Sequence, residues 1–215
     1  MGAAAESARR SARHVLLPGH GHLAVHAPVD DSAALGLLAV LVAEHYGTLD
    51  VLVNNAGVTR PVPHGDLDAL DDELIDQIFR INWRGAFASI RAMRALLAGH
   101  GGGLVVNISS VAGQTGVGSN VAYCASKAAL DSLTRSLARA LAPDIRVVSV
   151  APGWVEGDYA RRAAPAMLDE QRRRTPLGRI ARADEVASAV LAVATLLPFT
   201  TGNIIPVDGG RPLGS

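Results

Sequence analysis

Tyr123 and Lys127 stand four positions apart in V-A-Y-C-A-S-K-A-A-L. On a helix, residues at i and i+4 share a face, which brings the lysine ammonium to the tyrosine ring and its hydroxyl. A free phenol, with a pKa of about 10, exchanges protons poorly at neutral pH. A neighbouring cation favours the phenolate and draws the group toward the range that general acid-base catalysis requires. Upstream, Ser110 follows the apolar run Leu104-Val105-Val106-Asn107-Ile108. That run reads as a buried strand, so the hydroxyl emerges at a strand's carboxyl end, where open α/β sheets hold their ligands. Alone, the Tyr-Lys spacing also fits a surface tyrosine beside a solvated lysine; the surrounding residues decide between the two.

Those residues are Asn54-Asn55-Ala56-Gly57 after the strand Asp50–Val53, Asn82 inside the helical segment 78–83, Pro152-Gly153 after the strand Ile145–Val150, and Val207-Asp208-Gly209-Gly210 near the end. In this order and spacing the chain resembles the classical short-chain dehydrogenase/reductase family over most of its length. The resemblance implies a Rossmann-like three-layer α/β/α sandwich with a mainly parallel sheet. It implies a catalytic tetrad of Asn82, Ser110, Tyr123 and Lys127, in which the asparagine marks a helix kink and helps hold a water near the lysine. NAD or NADP is the implied cofactor, with Asn54, Ala56, Gly57, Tyr123, Lys127, Pro152, Gly153 and Val155 as its contacts wherever a nucleotide is bound. The implied activity is carbonyl reduction or alcohol oxidation on a small-molecule substrate. The family's pairing of long helices predicts a homodimer or homotetramer, and the face Phe87, Ile90, Arg94, Leu97 with the stripe Leu133 to Leu141 offers apolar surface for it.

The elements that must position these groups follow from periodicity. Asp31 or Ser32 caps a helix carrying Leu35, Leu38, Ala39 and Val42, which ends near Tyr46-Gly47. The nearly continuous apolar strand Leu49–Val53 follows. A long helical region from about 70 to 97 contains Asn82, an odd residue there because its side chain competes for backbone hydrogen bonds, and Gly85 fits a local break. The Tyr-Lys helix shows Leu130, Leu133, Leu137 and Leu141, with Pro143 ending it; a last helix, 183–197, precedes the strand 203–207. Arg172-Arg173-Arg174 reads as a solvated face in a region that shapes the substrate lid in relatives.

The beginning departs from the family. A dinucleotide-binding domain opens with a strand, a Gly-rich turn and a helix whose N-terminus holds the pyrophosphate. Here no G-x-G-x-x-G occurs, and the nearest approach, Gly19-His20-Gly21, precedes a strand rather than following one. Residues 6–14 have helical composition and His22–Ala27 reads as a short edge strand. Relative to the family, the first strand, its helix and the second strand are missing. Pro28-Val29 replaces an Asp-Val that contacts adenine, and Gly157 stands where a threonine holds the carboxamide. Three explanations compete: a reductase missing its beginning, a nucleotide-independent lyase, isomerase or cyclase using Ser110, Tyr123 and Lys127, or a non-catalytic partner subunit. The missing strands also predict that His22–Ala27 moves in to pair in parallel with Asp50–Val53, closing the adenosine space and leaving dinucleotide binding weak.

At 215 residues, 49% hydrophobic and 19% charged, the chain is long enough for one core and reads as one domain, 1–215. Twenty basic and 20 acidic residues cancel, favouring neither nucleic acid nor an anionic membrane surface. The single cysteine, Cys124, fits a reducing cytoplasm and reads as packing. His20, His22 and His26 share a face of an extended strand but lack a carboxylate or cysteine at ligand spacing, so no metal is expected. No apolar run reaches membrane-span length, and a cytoplasmic protein is expected.

Overall fold

The computed structural model describes residues 21–213. Four strands form one parallel sheet in chain order: β1 (Val51–Asn54), β2 (Gly103–Ile108), β3 (Ile145–Pro152) and β4 (Ile204–Val207). Parallel neighbours require helical crossovers, and the chain supplies them. Helix α1 (Ser32–Tyr46) precedes β1; α2 (Asp72–Phe79), a π-helical turn (Arg80–Gly85) and α3 (Ala86–Leu97) lead to β2. The short α4 (Ala112–Thr115) and the long α5 (Val121–Leu141) lead to β3, and α6 (Asp158–Arg161), α7 (Pro165–Arg173) and α8 (Ala183–Thr195) lead to β4.

Strand alternation divides the core into two faces. Val105 and Val147 point toward Ile90, Met93 and Leu97 of α3, Ala138 of α5, and Leu38 and Val42 of α1. Leu104, Val106, Val148 and Val150 point the other way, toward Val193 and Val190 of α8. The result is the expected three-layer α/β/α sandwich with a parallel sheet. Ile90, Leu97 and Leu133, read from the sequence as surplus surface for a partner, are instead spent on this core, each below one tenth exposed. Phe87 is half-buried on the outside, stacked on Trp83 at 6.1 Å with Arg91 over its ring.

The expectation for His22–Ala27 fails. These residues form no strand, so the predicted parallel pairing is absent, and among the described residues β1 pairs with β2 alone. Their exposure alternates, with His22, Ala24 and His26 exposed, whereas a strand entering a parallel sheet must be apolar on both faces. The segment is held elsewhere. The Arg84 guanidinium donates to the Asp30 carbonyl at 2.9 Å, Arg80 pairs with Asp30 at 3.3 Å, Val29 lies against Gly85, and the Tyr46 hydroxyl donates to the Gly21 carbonyl. Without the strand, His22 and His26 share no extended face; His20 and the helical stretch 6–14 lie outside the described residues.

Candidate active site

The site lies at the carboxyl ends of β1, β2 and β3. The backbone after β2 turns through Ser109 and Ser110 into α4, and the Ser110 Oγ accepts the Ala112 N–H at 3.2 Å. Helix α4 presses directly on α5: a Cβ on Gly113 would stand 2.7 Å from the backbone of Lys127 and Ala128. This contact fixes the height of Lys127 relative to Ser110. Asn120 caps α5, its side-chain oxygen accepting the Tyr123 N–H at 2.7 Å while its amide donates to the Arg60 carbonyl at 2.7 Å. One side chain therefore starts the catalytic helix and ties it to the loop after β1.

Lys127 is 5% exposed, and its Nζ donates to the Ile108 carbonyl at 2.8 Å, at the tip of β2. The same Nζ lies 5.8 Å from the Tyr123 ring centroid. Burial lowers its pKa to about 8, with Asp131 opposing the shift. Tyr123 is half-buried, and burial raises its pKa, while the nearby Ser110 hydroxyl favours the phenolate and Tyr159 and Cys124 disfavour it. The sequence reading has Lys127 drawing the phenol down; here burial is the largest effect and the phenol's pKa is raised. Cys124 is buried with a raised pKa, a thiol that packs under Gly118.

Asn82 sits inside the π-helical turn, the break that its sequence position and Gly85 suggested. It is 1% exposed and fully engaged: Oδ1 accepts the Val58 N–H at 2.8 Å, and Nδ2 donates to the Val58 carbonyl and to Ser126 Oγ, both at 3.1 Å. Ser126 Oγ in turn donates to the Tyr123 carbonyl at 2.8 Å. The wide turn lets a side chain that would compete with an α-helix leave it and clamp the loop after β1 to the Tyr-Lys helix. Gly57, on that loop, has its missing side chain directed at both groups: a Cβ there would meet Asn82 Oδ1 at 3.5 Å and Lys127 Nζ at 3.7 Å. Asn55, Ala56 and Gly57 are exposed and form the rim.

Asn54 ends β1 and donates to Asn107 Oδ1 at 2.9 Å; Asn107 donates to Thr134, which shares a 2.8 Å hydrogen bond with Ser149. This buried polar chain under the site was missed in the sequence, although an asparagine inside an apolar strand was its signal. Pro152 and Gly153 end β3, with the Gly153 N–H donating to the Val207 carbonyl at 3.1 Å, and Val155 forms a parallel bridge with Ala181. Beyond it the Trp154 and Tyr159 rings lie 5.5 Å apart in a tilted contact, and Tyr159 is close enough to disfavour the Tyr123 phenolate. Arg172, Arg173 and Arg174 are exposed and paired to Asp169 and Glu170 on α7. No group of three or more His, Cys, Asp and Glu among the described residues could hold a metal ion, and no helix there is long and apolar enough to cross a membrane.

A parallel sheet flanked by helices, with a serine, a tyrosine and a lysine collected at its carboxyl end, defines a class of oxidoreductase, and comparison with known proteins gives the family. Residues 3–211 match the family model described as Enoyl-(Acyl carrier protein) reductase. The chain belongs to the short-chain dehydrogenase/reductase family and is an oxidoreductase of it. Over 194 residues it is 41% identical to a protein of Streptomyces violaceoruber named for a ketoacyl reductase of granaticin polyketide synthase, covering 89% of this chain and 77% of the relative. It is 36% identical over 213 residues to the cis-4-hydroxycyclohexanecarboxylate dehydrogenase of Sinomonas cyclohexanicum, covering 98% and 84%. Among solved structures, a gluconate 5-dehydrogenase of Burkholderia cenocepacia, in complex with NADP and tartrate, superposes with a TM-score of 0.81 at 29% identity, covering 87% of this chain and 74% of that one.

Proposed function

We propose that this oxidoreductase reduces a carbonyl, or oxidises the corresponding alcohol, with a nicotinamide cofactor, using Tyr123, Lys127, Ser110 and Asn82. The observation that carries the reading is the convergence of Ser110, Tyr123 and Lys127 at the tips of β2 and β3 beneath the exposed rim of Asn55 to Gly57. The Tyr123 phenol, its pKa raised by burial, is protonated at neutral pH, the state that donates a proton to an oxygen becoming an alkoxide in the reductive direction. Ser110 orients the substrate oxygen by hydrogen bonding. The Lys127 charge lies over the Tyr123 ring and stabilises negative charge formed on the phenol oxygen. Asn82 holds the rim loop and α5 in register.

The residues present fit one half of the cofactor. Asn54, Ala56, Gly57, Tyr123, Lys127, Pro152, Gly153 and Val155 lie at or beyond the strand tips, and the absent side chain of Gly57 leaves its backbone open to close approach beside Asn82 and Lys127. When bound, NADH or NADPH supplies the hydride. No glycine-rich strand-turn-helix among the described residues offers backbone N–H groups to a pyrophosphate, and Pro28 has neither an N–H nor a side-chain acceptor for adenine. This second observation favours a second reading, acid-base chemistry without a nucleotide. Titrating the protein with NADH and NADPH, followed by turnover on ketones and 3-oxoacyl thioesters, separates the two. Cofactor oxidation that stops in Tyr123→Phe supports the reductase, and cofactor-free turnover of an elimination or isomerisation substrate supports the second.

The protein is placed in the cytoplasm, in keeping with its single, reduced cysteine. A homodimer is built on the outer face of the π-helical turn and α3, where the Trp83–Phe87 stack and Arg91 present an amphipathic patch. Sedimentation at micromolar concentration tests it, a monomer throughout being the contrary result.

A further inference from the structure

Lys127 is the chain's only lysine; every other basic residue counted with it is an arginine. One turn further along α5 on the same face stands Asp131, so Tyr123, Lys127 and Asp131 form an i, i+4, i+8 column. Asp131 is 2% exposed; neither carboxylate oxygen makes a well-formed hydrogen bond, although the Ser109 and Ser149 hydroxyls lie near enough to favour its ionised form. A buried carboxylate so weakly partnered costs stability, and an apolar residue would cost none of it. The groups that face it are few. From the end of β2 comes the Ser109 hydroxyl, which makes a long 3.4 Å contact with the Lys127 carbonyl, and from β3 the Ser149 hydroxyl, already bonded to Thr134. Its own helix adds the charges of Lys127 and Arg135. Of the titratable groups acting on Lys127, Asp131 is the one that favours the ammonium.

We propose that Asp131 is a positioning residue for the Tyr123–Lys127 pair, a buried countercharge behind the lysine that keeps it an ammonium against its own burial. The interaction is one of field rather than contact, since Lys127 Nζ extends away to the Ile108 carbonyl. Opposite charges in a dry interior act on each other beyond contact because little water screens them. Burial raises the pKa of Asp131, so its proton is shared with the state of Lys127: when Asp131 ionises, Lys127 is held cationic to higher pH, and when it is neutral, Lys127 gives up its proton sooner. The consequence for catalysis rests on the acid-base reading of the pair; the test does not.

Because there is one lysine, protein labelled with carbon-13 lysine gives one Cε signal, whose pH titration reads Lys127 directly, with neither substrate nor cofactor. In Asp131→Asn, and in Asp131→Leu as a second variant that fills the core, the Lys127 midpoint is expected to fall by about 1 unit or more, as loss of a near opposite charge does, and Asp131→Glu restores part of it. Where turnover is measurable, the alkaline limb of kcat moves down by the same amount with KM nearly unchanged. An unmoved or raised Cε midpoint in a folded variant overturns the proposal, even if kcat falls. A lowered midpoint in a protein that reduces no carbonyl upholds it and overturns the reductase reading instead.

Discussion

The two ends of the sheet are built to different standards. From β2 through α5 to β3 the chain is tight: Val105, Val106, Val147, Val148 and Val150 have no measurable exposure, and α4 touches the backbone of α5 with no room for one carbon. From Gly21 to β1 it is loose: the first ten described residues form no regular element, Val53 on β1 is 42% exposed, and the outer edge of β1 has no neighbour among the described residues. The groups proposed for proton transfer sit in the first region. On the same proposal the second would have to hold most of a dinucleotide. The lesson is that the Ser110, Tyr123 and Lys127 neighbourhood is positioned by β2, α5 and β3 and does not depend on what flanks β1.

If the tight region is the catalytic one, removing its phenol should produce the largest effect. Tyr123→Phe is expected to lower kcat by ~10²–10⁴-fold, the usual contribution of a general acid, with thermal unfolding unchanged. Full activity on an identified substrate would break the comparison at its stronger side.

Next comes the cost of burying Lys127. Folding lowers its pKa from 10.5 to about 8, so between those values the folded chain binds fewer protons than the unfolded one. Stability therefore rises as pH increases from about 8 toward 10.5, by on the order of 3 kcal/mol in all. Urea unfolding at stepped pH measures it, and Lys127→Met should abolish the rise. The Cys124 thiol and Tyr123 phenol, both raised by burial, pull the other way at the top of this window, so the measure is the difference from Lys127→Met, and a difference of zero or opposite sign would show that Lys127 is paired more strongly than the structure has it.

A third test probes packing. At Gly113 an added Cβ meets backbone, 2.7 Å from Lys127 and Ala128, and backbone cannot swing aside. Gly113→Ala is expected to destabilise by about 1–3 kcal/mol, the usual cost of overfilling a close-packed site, and to lower kcat as α5 shifts relative to Ser110. Neutral behaviour would mean that the α4–α5 contact does not set the site.

The loose region predicts something about ligands. If little beside β1 holds adenosine diphosphate, reduced nicotinamide mononucleotide should bind within about tenfold of NADH, a difference under ~1.4 kcal/mol. Calorimetry decides it, and a dinucleotide hundreds of times tighter would mean that residues 21–57 recognise adenosine after all.

How legible this was in the sequence differs between the same two regions. The four strands and the helices 32–46, 72–97, 121–141 and 183–195 lay close to where apolar periodicity put them, because each buries a face fixed by the period, whereas the short helices 112–115, 158–161 and 165–173 carry no such stripe and were not foreseen. Asn82 could be suspected from its type, and the π-helical turn supplies the physical reason. His22–Ala27 was misread as a strand because alternation alone does not make one: a strand needs an edge at the right place, and the chain instead ties Asp30 and Val29 to the π-helical turn. Asn120, Asn107 and Asp131 passed unnoticed, since what they do depends on partners from distant elements that local pattern does not encode.

The smallest effect should come from the contact that anchors the loose region. Gly85, in the π-helical turn, has an ordinary right-handed conformation, φ −61°, so alanine there costs no backbone strain and gains about 0.8–1 kcal/mol of helix propensity. Against this, its Cβ would stand 2.8 Å from Val29 Cγ2. The obstacle is the end of a side chain on a segment held by surface contacts from Arg80 and Arg84, and such contacts are worth little. Val29 should give way, and Gly85→Ala should change stability by less than about 1 kcal/mol, in clear contrast to Gly113→Ala. A loss as large as at Gly113 would show that residues 21–31 are packed as firmly as the catalytic half, and that the looseness seen along the edge of β1 stops short of the π-helical turn.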